Sequence, residues 1–128
     1  MSTILVNTLT GTSTAGSIAV TGEGNSTTTN LQQGLAKTFS LSAADGTSIS
    51  DSFNISSLSD DGTALQTFSL TNSMSSANYI AHSTGKNSFG SMITDSHATG
   101  SYRTAVRRFS DQALFDDIPQ TSAIGDLA

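Results

Sequence analysis

Apolar and polar positions alternate through the middle of this chain. Across residues 35–79 the apolar pairs Phe39/Leu41, Phe53/Ile55 and Phe68/Leu70 are each two residues apart, with Ser and Thr between and around them. A period of two places each pair on one side of a β-strand and the small polar residues on the other. Asp45-Gly46 and Asp60-Asp61-Gly62 separate the runs. Gly reaches positive φ without a Cβ clash, and Asp bonds its own backbone, so both are turn signals. The expected element is a three-stranded antiparallel meander with one apolar face.

The flanking sequence reads the same way, more weakly. Residues 3–9 form a short apolar run, residues 10–15 a small-residue loop, and residues 16–21 a second strand with Ile18 and Val20 on one side. These two strands are expected to pair as a hairpin. A lone hairpin is marginal in water, so it should lean on another subunit or another protein. Ile4, Val6, Ile18 and Val20 are its candidate contact residues. Residues 22–30 read as a polar linker, with Asn30 capping a brief turn that Gly34 ends. The chain is therefore expected to divide into an N-terminal arm, 1–34, and a β-rich domain, 35–128. Beyond Tyr79, strands are expected from residue 79 to His82 with a turn at Gly85, over 89–94, over 102–109 and over 118–124. A turn or single helical turn is expected at 110–117. Pro119 cannot donate to a ladder, which places the last strand at an edge or puts the proline near the strand's start.

Composition changes this picture in one respect. Of the 128 residues 35% are hydrophobic and 6% aromatic, a thin supply for a small monomeric core. Ser and Thr make up about a third of the chain, and neither favours helix. Only 12% of residues are charged, and the apolar residues come in strand-like pairs, which argues against disorder. Association supplements a thin core, because strands from several subunits can share one interior. An all-β obligate oligomer is the expectation: an arm or hairpin followed by a small antiparallel β-sandwich or barrel-like domain. The net charge of −5 argues against a nucleic-acid partner. The absence of Cys excludes disulfides, a thiolate nucleophile and Cys-ligated metal. The N-terminus lacks the positive region and long apolar core of a secretory signal, and no apolar run is long enough to span a bilayer.

Candidate chemistry is sparse. His82, His97 and Asp95 sit among many serines, so a Ser/His/Asp combination arises by abundance alone. No Gly-x-Ser-x-Gly elbow or HExxH motif accompanies them. Neither a catalytic residue nor a metal or cofactor site is expected. Asp60-Asp61-Gly62 lacks the alternating ligands and closing Glu of an EF-hand and reads as a turn. The glycines near residues 11 and 22–24 lack the Lys and helix context of a phosphate cradle. Asn25-Ser26-Thr27 and Asn54-Ile55-Ser56 match the glycosylation acceptor pattern, which a Ser/Thr-rich chain produces by chance. Arg103, Arg107 and Arg108 form the basic cluster. On a strand Arg103 and Arg107 share one face. They are candidates for carboxylates of a neighbouring subunit or for acidic glycan, with local pairing to Asp111, Asp116 or Asp117 as the alternative.

Residues 1–37 resemble the N-terminal segments of structural proteins from phages of marine bacteria, cyanophages among them. Those chains open with a short Ile/Leu/Val strand, a Thr/Gly/Ser turn, a second strand and a polar connector. Residues 35–79 are similar to a module of phage tail fibres, on the residues Ala36-Lys37, Asp51-Ser52-Phe53-Asn54, Ser56-Ser57, Asp61-Gly62-Thr63 and Met74…Asn78-Tyr79. The chain departs from that module at Lys37-Thr38-Phe39, where the family more often carries Trp close after the Lys. The resemblance covers the first two-thirds of the chain. It implies a homotrimeric, non-enzymatic virion protein: a tail fibre or tail-associated appendage that docks by its arm on other virion structural proteins and contributes to host attachment. A capsid decoration or head-fibre protein and a module binding host surface glycan are the alternatives.

Overall fold

A computed structural model describes residues 3–11, 18–21, 28–31, 34–86 and 90–128. These residues are all-β, and they separate into two compact units, Met1–Leu35 and Ala36–Ala128.

In the first unit, β1 (Ala19–Thr21) pairs antiparallel with β2 (Thr28–Asn30), joining Val20 to Thr29. The hairpin expected between residues 3–9 and 16–21 is therefore replaced. Residues 3–9 form no strand, and β1's partner comes from the stretch read as a linker. Thr28 and Thr29 explain the exchange, since Thr is a good strand former that polarity alone hides. The expected loop at residues 12–15 lies outside the described residues. The turn at Asn30 is present: its carbonyl accepts the Gly34 N–H at 3.2 Å.

The second unit is a sandwich of two four-stranded antiparallel sheets, not closed into a barrel. One sheet has the order β4-β3-β10-β7, formed by β3 (Thr38–Ser42), β4 (Ile49–Phe53), β7 (Ile80–Gly85) and β10 (Pro119–Ile124). The other has the order β5-β6-β9-β8, formed by β5 (Ile55–Gly62), β6 (Leu65–Leu70), β8 (Gly90–Ala98) and β9 (Ser101–Arg108). The single meander expected over 35–79 is thus divided between sheets. Asn54 divides it: with φ of 59° it breaks the Phe53/Ile55 run, leaving Phe53 in one sheet and Ile55 in the other. Asn tolerates the left-handed region because its short amide bonds locally. Here Nδ2 donates to the carbonyls of Lys37 and Asn72, each at 3.1 Å, and Oδ1 accepts the Asn72 N–H at 2.7 Å.

The Asp45-Gly46 turn forms as expected. Gly46 has φ of 67°, and Asp45 Oδ1 accepts from the Thr47 N–H and hydroxyl at 3.1 and 2.7 Å. The second turn falls later than expected. Asp60 and Asp61 lie within β5, and the chain reverses at Thr63 and Ala64. Pro119 opens β10, which is a central strand and not an edge. The segment between β9 and β10 contains no helix; the Gln112 N–H donates to the Arg108 carbonyl at 3.1 Å in an isolated turn.

The core is small and lopsided. Phe68, Leu70 and Tyr102 come from one sheet, and only Ala81 and Ala123 come from strands of the other, with Met74 and Tyr79 from the connection before β7. Phe68 and Tyr102 stack with centroids 5.4 Å apart. Opposite them the inner side of β3 offers Thr38, Ser40 and Ser42, all buried.

Candidate assembly surface

The inner hydroxyls of Thr38 and Ser42 on β3 and of Thr121 on β10 are held by long-range hydrogen bonds. The Tyr102 hydroxyl bonds Thr121 Oγ1 at 2.7 Å and reaches Thr38 Oγ1 at 3.5 Å. Ser42 Oγ donates to Gln66 Oε1 at 2.7 Å, while Gln66 Nε2 donates to the carbonyls of Ala43 and Ala44 at 2.9 and 3.0 Å. Ser40, between Thr38 and Ser42, is buried without a hydrogen-bond partner for its hydroxyl among the described residues. With its hydroxyls inside, β3 turns Phe39 and Leu41 outward. The strand period is the expected one; the apolar side faces the other way.

Register extends this outer face across all four strands. Phe39 lies between Phe53 and Ser122, Leu41 between Asp51 and Gln120, and β10 in turn sets Ser122 beside His82 and Ile124 beside Ile80. Directly opposed residues share a face. Phe39, Phe53, Ile80 and Ile124 are 44%, 53%, 59% and 39% exposed, so the second unit leaves large apolar side chains open on this face, among Asp51, His82, Thr84, Gln120 and Ser122. Phe39 and Phe53 stack with centroids 6.2 Å apart, forming a ridge. Beside it a shallow groove of about 340 Å³ runs over β10, between Phe39 and Leu41 on one side and His82 and Thr84 on the other.

The outer face of the second sheet has the opposite character. The Arg103 guanidinium makes a bidentate pair with Asp95 at 2.9 and 3.0 Å. That pairing holds the Asp95 carboxyl below its usual range. Thr67 bonds Asp61, and Arg107 donates to the Gln112 carbonyl at 3.1 Å. Arg103 and Arg107 do share a face, and the structure engages both within the chain. Arg103's partner, Asp95, is its register neighbour on β8 and not one of the downstream aspartates. Arg108 does meet Asp111, at 3.8 Å, and lies over the Phe115 ring.

In the first unit Ile4, Val6 and Val20 are exposed at 81%, 58% and 50%, as are Leu5 and Leu9. Ile18 is half-buried, and its carbonyl accepts the Leu31 N–H at 2.7 Å. The histidines are dispersed: His82 lies on the apolar outer face, whereas His97, on β8, stacks on Tyr79 at 4.9 Å. Among the described residues, no three His, Cys, Asp or Glu side chains gather as a metal site would require. Among the described residues no helix is long and apolar enough to cross a membrane.

Sequence reasoning missed the role of Phe39 and Phe53 as surface residues. The strand that carries Phe39 is tied inside by Tyr102 and Gln66, which lie far along the chain. The one local signal was Ser/Thr at every inner position of β3. Compared with known proteins, the chain matches no protein family, no curated protein and no solved structure.

Proposed function

We propose that this chain is a non-enzymatic structural subunit of a phage particle, a tail fibre or tail-associated appendage component. It works as a homotrimer, docks through its N-terminal arm on other virion proteins and contributes to host attachment. The observation that supports an assembly role is the display of apolar side chains on the outer face of β4-β3-β10-β7, while polar side chains fill the facing interior. Such a surface suits burial against protein, since exposed contiguous apolar patches mark interaction sites. The exposed Ile4 and Val6 suit an arm that docks. The virion assignment rests on the resemblance of residues 1–79 to phage appendage chains.

A capsid decoration protein would use the same interface chemistry, so location on the particle separates the two readings. Antibody against this chain, imaged on purified particles, is expected to label tail appendages. Label on the capsid would replace the tail reading, and particles carrying no label would overturn the virion assignment. The glycan-binding reading has the groove beside Phe39 as its supporting feature, but that groove has a single aromatic wall, and glycan sites rely on aromatic platforms.

A further inference from the structure

We propose that the outer face of β4-β3-β10-β7 is the surface on which a second copy of this chain sits. The proposal rests on the homo-oligomeric part of the function above and names the surface that carries it.

Charge argues for a copy of the same chain. The protein is acidic, with ten Asp and Glu against five Lys and Arg, so copies repel unless their contact avoids carboxylates. Among the described residues this face carries one carboxylate, Asp51, and no Lys or Arg. Asp60 and Asp61 lie on β5, Asp95 on β8, and Asp111, Asp116 and the buried Asp117 in the segment after β9, while Asp45 lies in the turn after β3 and Asp126 just past β10. Asp51 and His82 lie on the two edge strands, β4 and β7. An arrangement laying β4 of one copy over β7 of the next sets a carboxylate opposite an imidazole, not opposite a second carboxylate.

Shape gives a second argument. The Phe39/Phe53 ridge and the groove over β10 lie side by side on one face. In the proposed contact the ridge of one copy lies against the groove of another. Size then bears on the number of copies. Four strands about 4.8 Å apart and five or six residues long give a footprint of roughly 350 Å². Two such faces supply about half of the ~1,600 Å² of a stable interface. A ring of three that turns this face to its axis divides it between two neighbours and adds its flanks.

The native chain has no Cys, which makes single-cysteine variants clean probes. Gln120→Cys places a thiol at the centre of the face, and Thr67→Cys places one on the outer face of the other sheet. The full-length variants are treated with a short bis-maleimide and the masses of native and Phe39→Ser protein are measured by sedimentation. The expected result has four parts: an assembled native protein, covalent pairs from Gln120→Cys, none from Thr67→Cys, and a shift of Phe39→Ser toward single chains. Phe39 is nearly half exposed, so its removal empties no core, and the cross-linking arm does not depend on that variant. An assembled native protein with no Gln120→Cys pairs and an unchanged Phe39→Ser mass overturns this face while leaving the oligomeric reading intact. The face would then be left for the arm, glycan or another virion protein. A native protein that sediments as a single chain overturns both.

Discussion

Three side-chain hydrogen bonds converge on the amide of Gln66, and they let a serine-lined strand close a sandwich. Replacing it by Leu leaves Ser42 Oγ and the Ala43 and Ala44 carbonyls without that partner. The expected cost is about 3 kcal/mol in denaturant unfolding, because buried polar groups stripped of partners cost more than the bonds contribute. Gly85 is a second single-residue constraint. A Cβ there would collide with the buried Asp117 carboxylate, so Gly85→Ala should lose about 2–3 kcal/mol, read as a lowered melting temperature. Tyr79 gives a pH signature. Burial, with a smaller contribution from Tyr102, pushes its hydroxyl up to about 12, while it donates to the carbonyls of Ala98 and Ser101. The folded pKa is raised, so the contribution is full below pH 10, where both states are neutral. It falls as pH rises from 10 toward 12, because the unfolded chain ionises first. Thermal unfolding across that window should show a decline that is shallower in Tyr79→Phe.

At the scale of elements, Asn54 decides the architecture by sending the chain from one sheet to the other. Two variants separate its backbone role from its side-chain role. Asn54→Gly keeps access to φ of 59° and loses the amide bonds; Asn54→Ala loses both. Alanine should therefore be the worse variant by about 1 kcal/mol in equilibrium unfolding. Equal costs would mean that the backbone conformation carries no strain. The strands themselves were largely legible in the sequence. Phe39/Leu41 and Phe68/Leu70 each mark a strand by period, and residues 102–109 and 118–124 foreshadow β9 and β10 within a residue or two. What the period could not supply was the side that faces inward. Phe68 and Leu70 point into the core, whereas Phe39 points out, on a strand whose Thr38 and Ser42 hydroxyls find Tyr102 and Gln66 across the sandwich. Those partners lie 64 and 24 residues away, beyond any local pattern. β2 was hidden for a different reason: three polar residues, Thr-Thr-Asn, form a strand whose side chains give no alternation.

For the whole molecule, apolar groups are distributed in an unusual way for a chain working alone. The interior between the sheets is completed by Ser, Thr, Gln and Ala, while two Phe and two Ile stand on an outer face. Of the residues singled out in the sequence for contact, Ile4, Val6 and Val20 are displayed, Ile18 is half-buried, and Arg103 and Arg107 are engaged inside the chain. The surface proposed for assembly carries Phe39 and Phe53, which sequence reasoning placed only on the apolar face of a single meander. If copies share it, stability should depend on protein concentration, since folding and association are then linked. The most direct measurement is sedimentation equilibrium of the full-length protein from micromolar concentrations upward. The proposed assembly predicts a single species of about three times the 13.1 kDa chain mass. A well-folded single chain of 13.1 kDa across that range would contradict it.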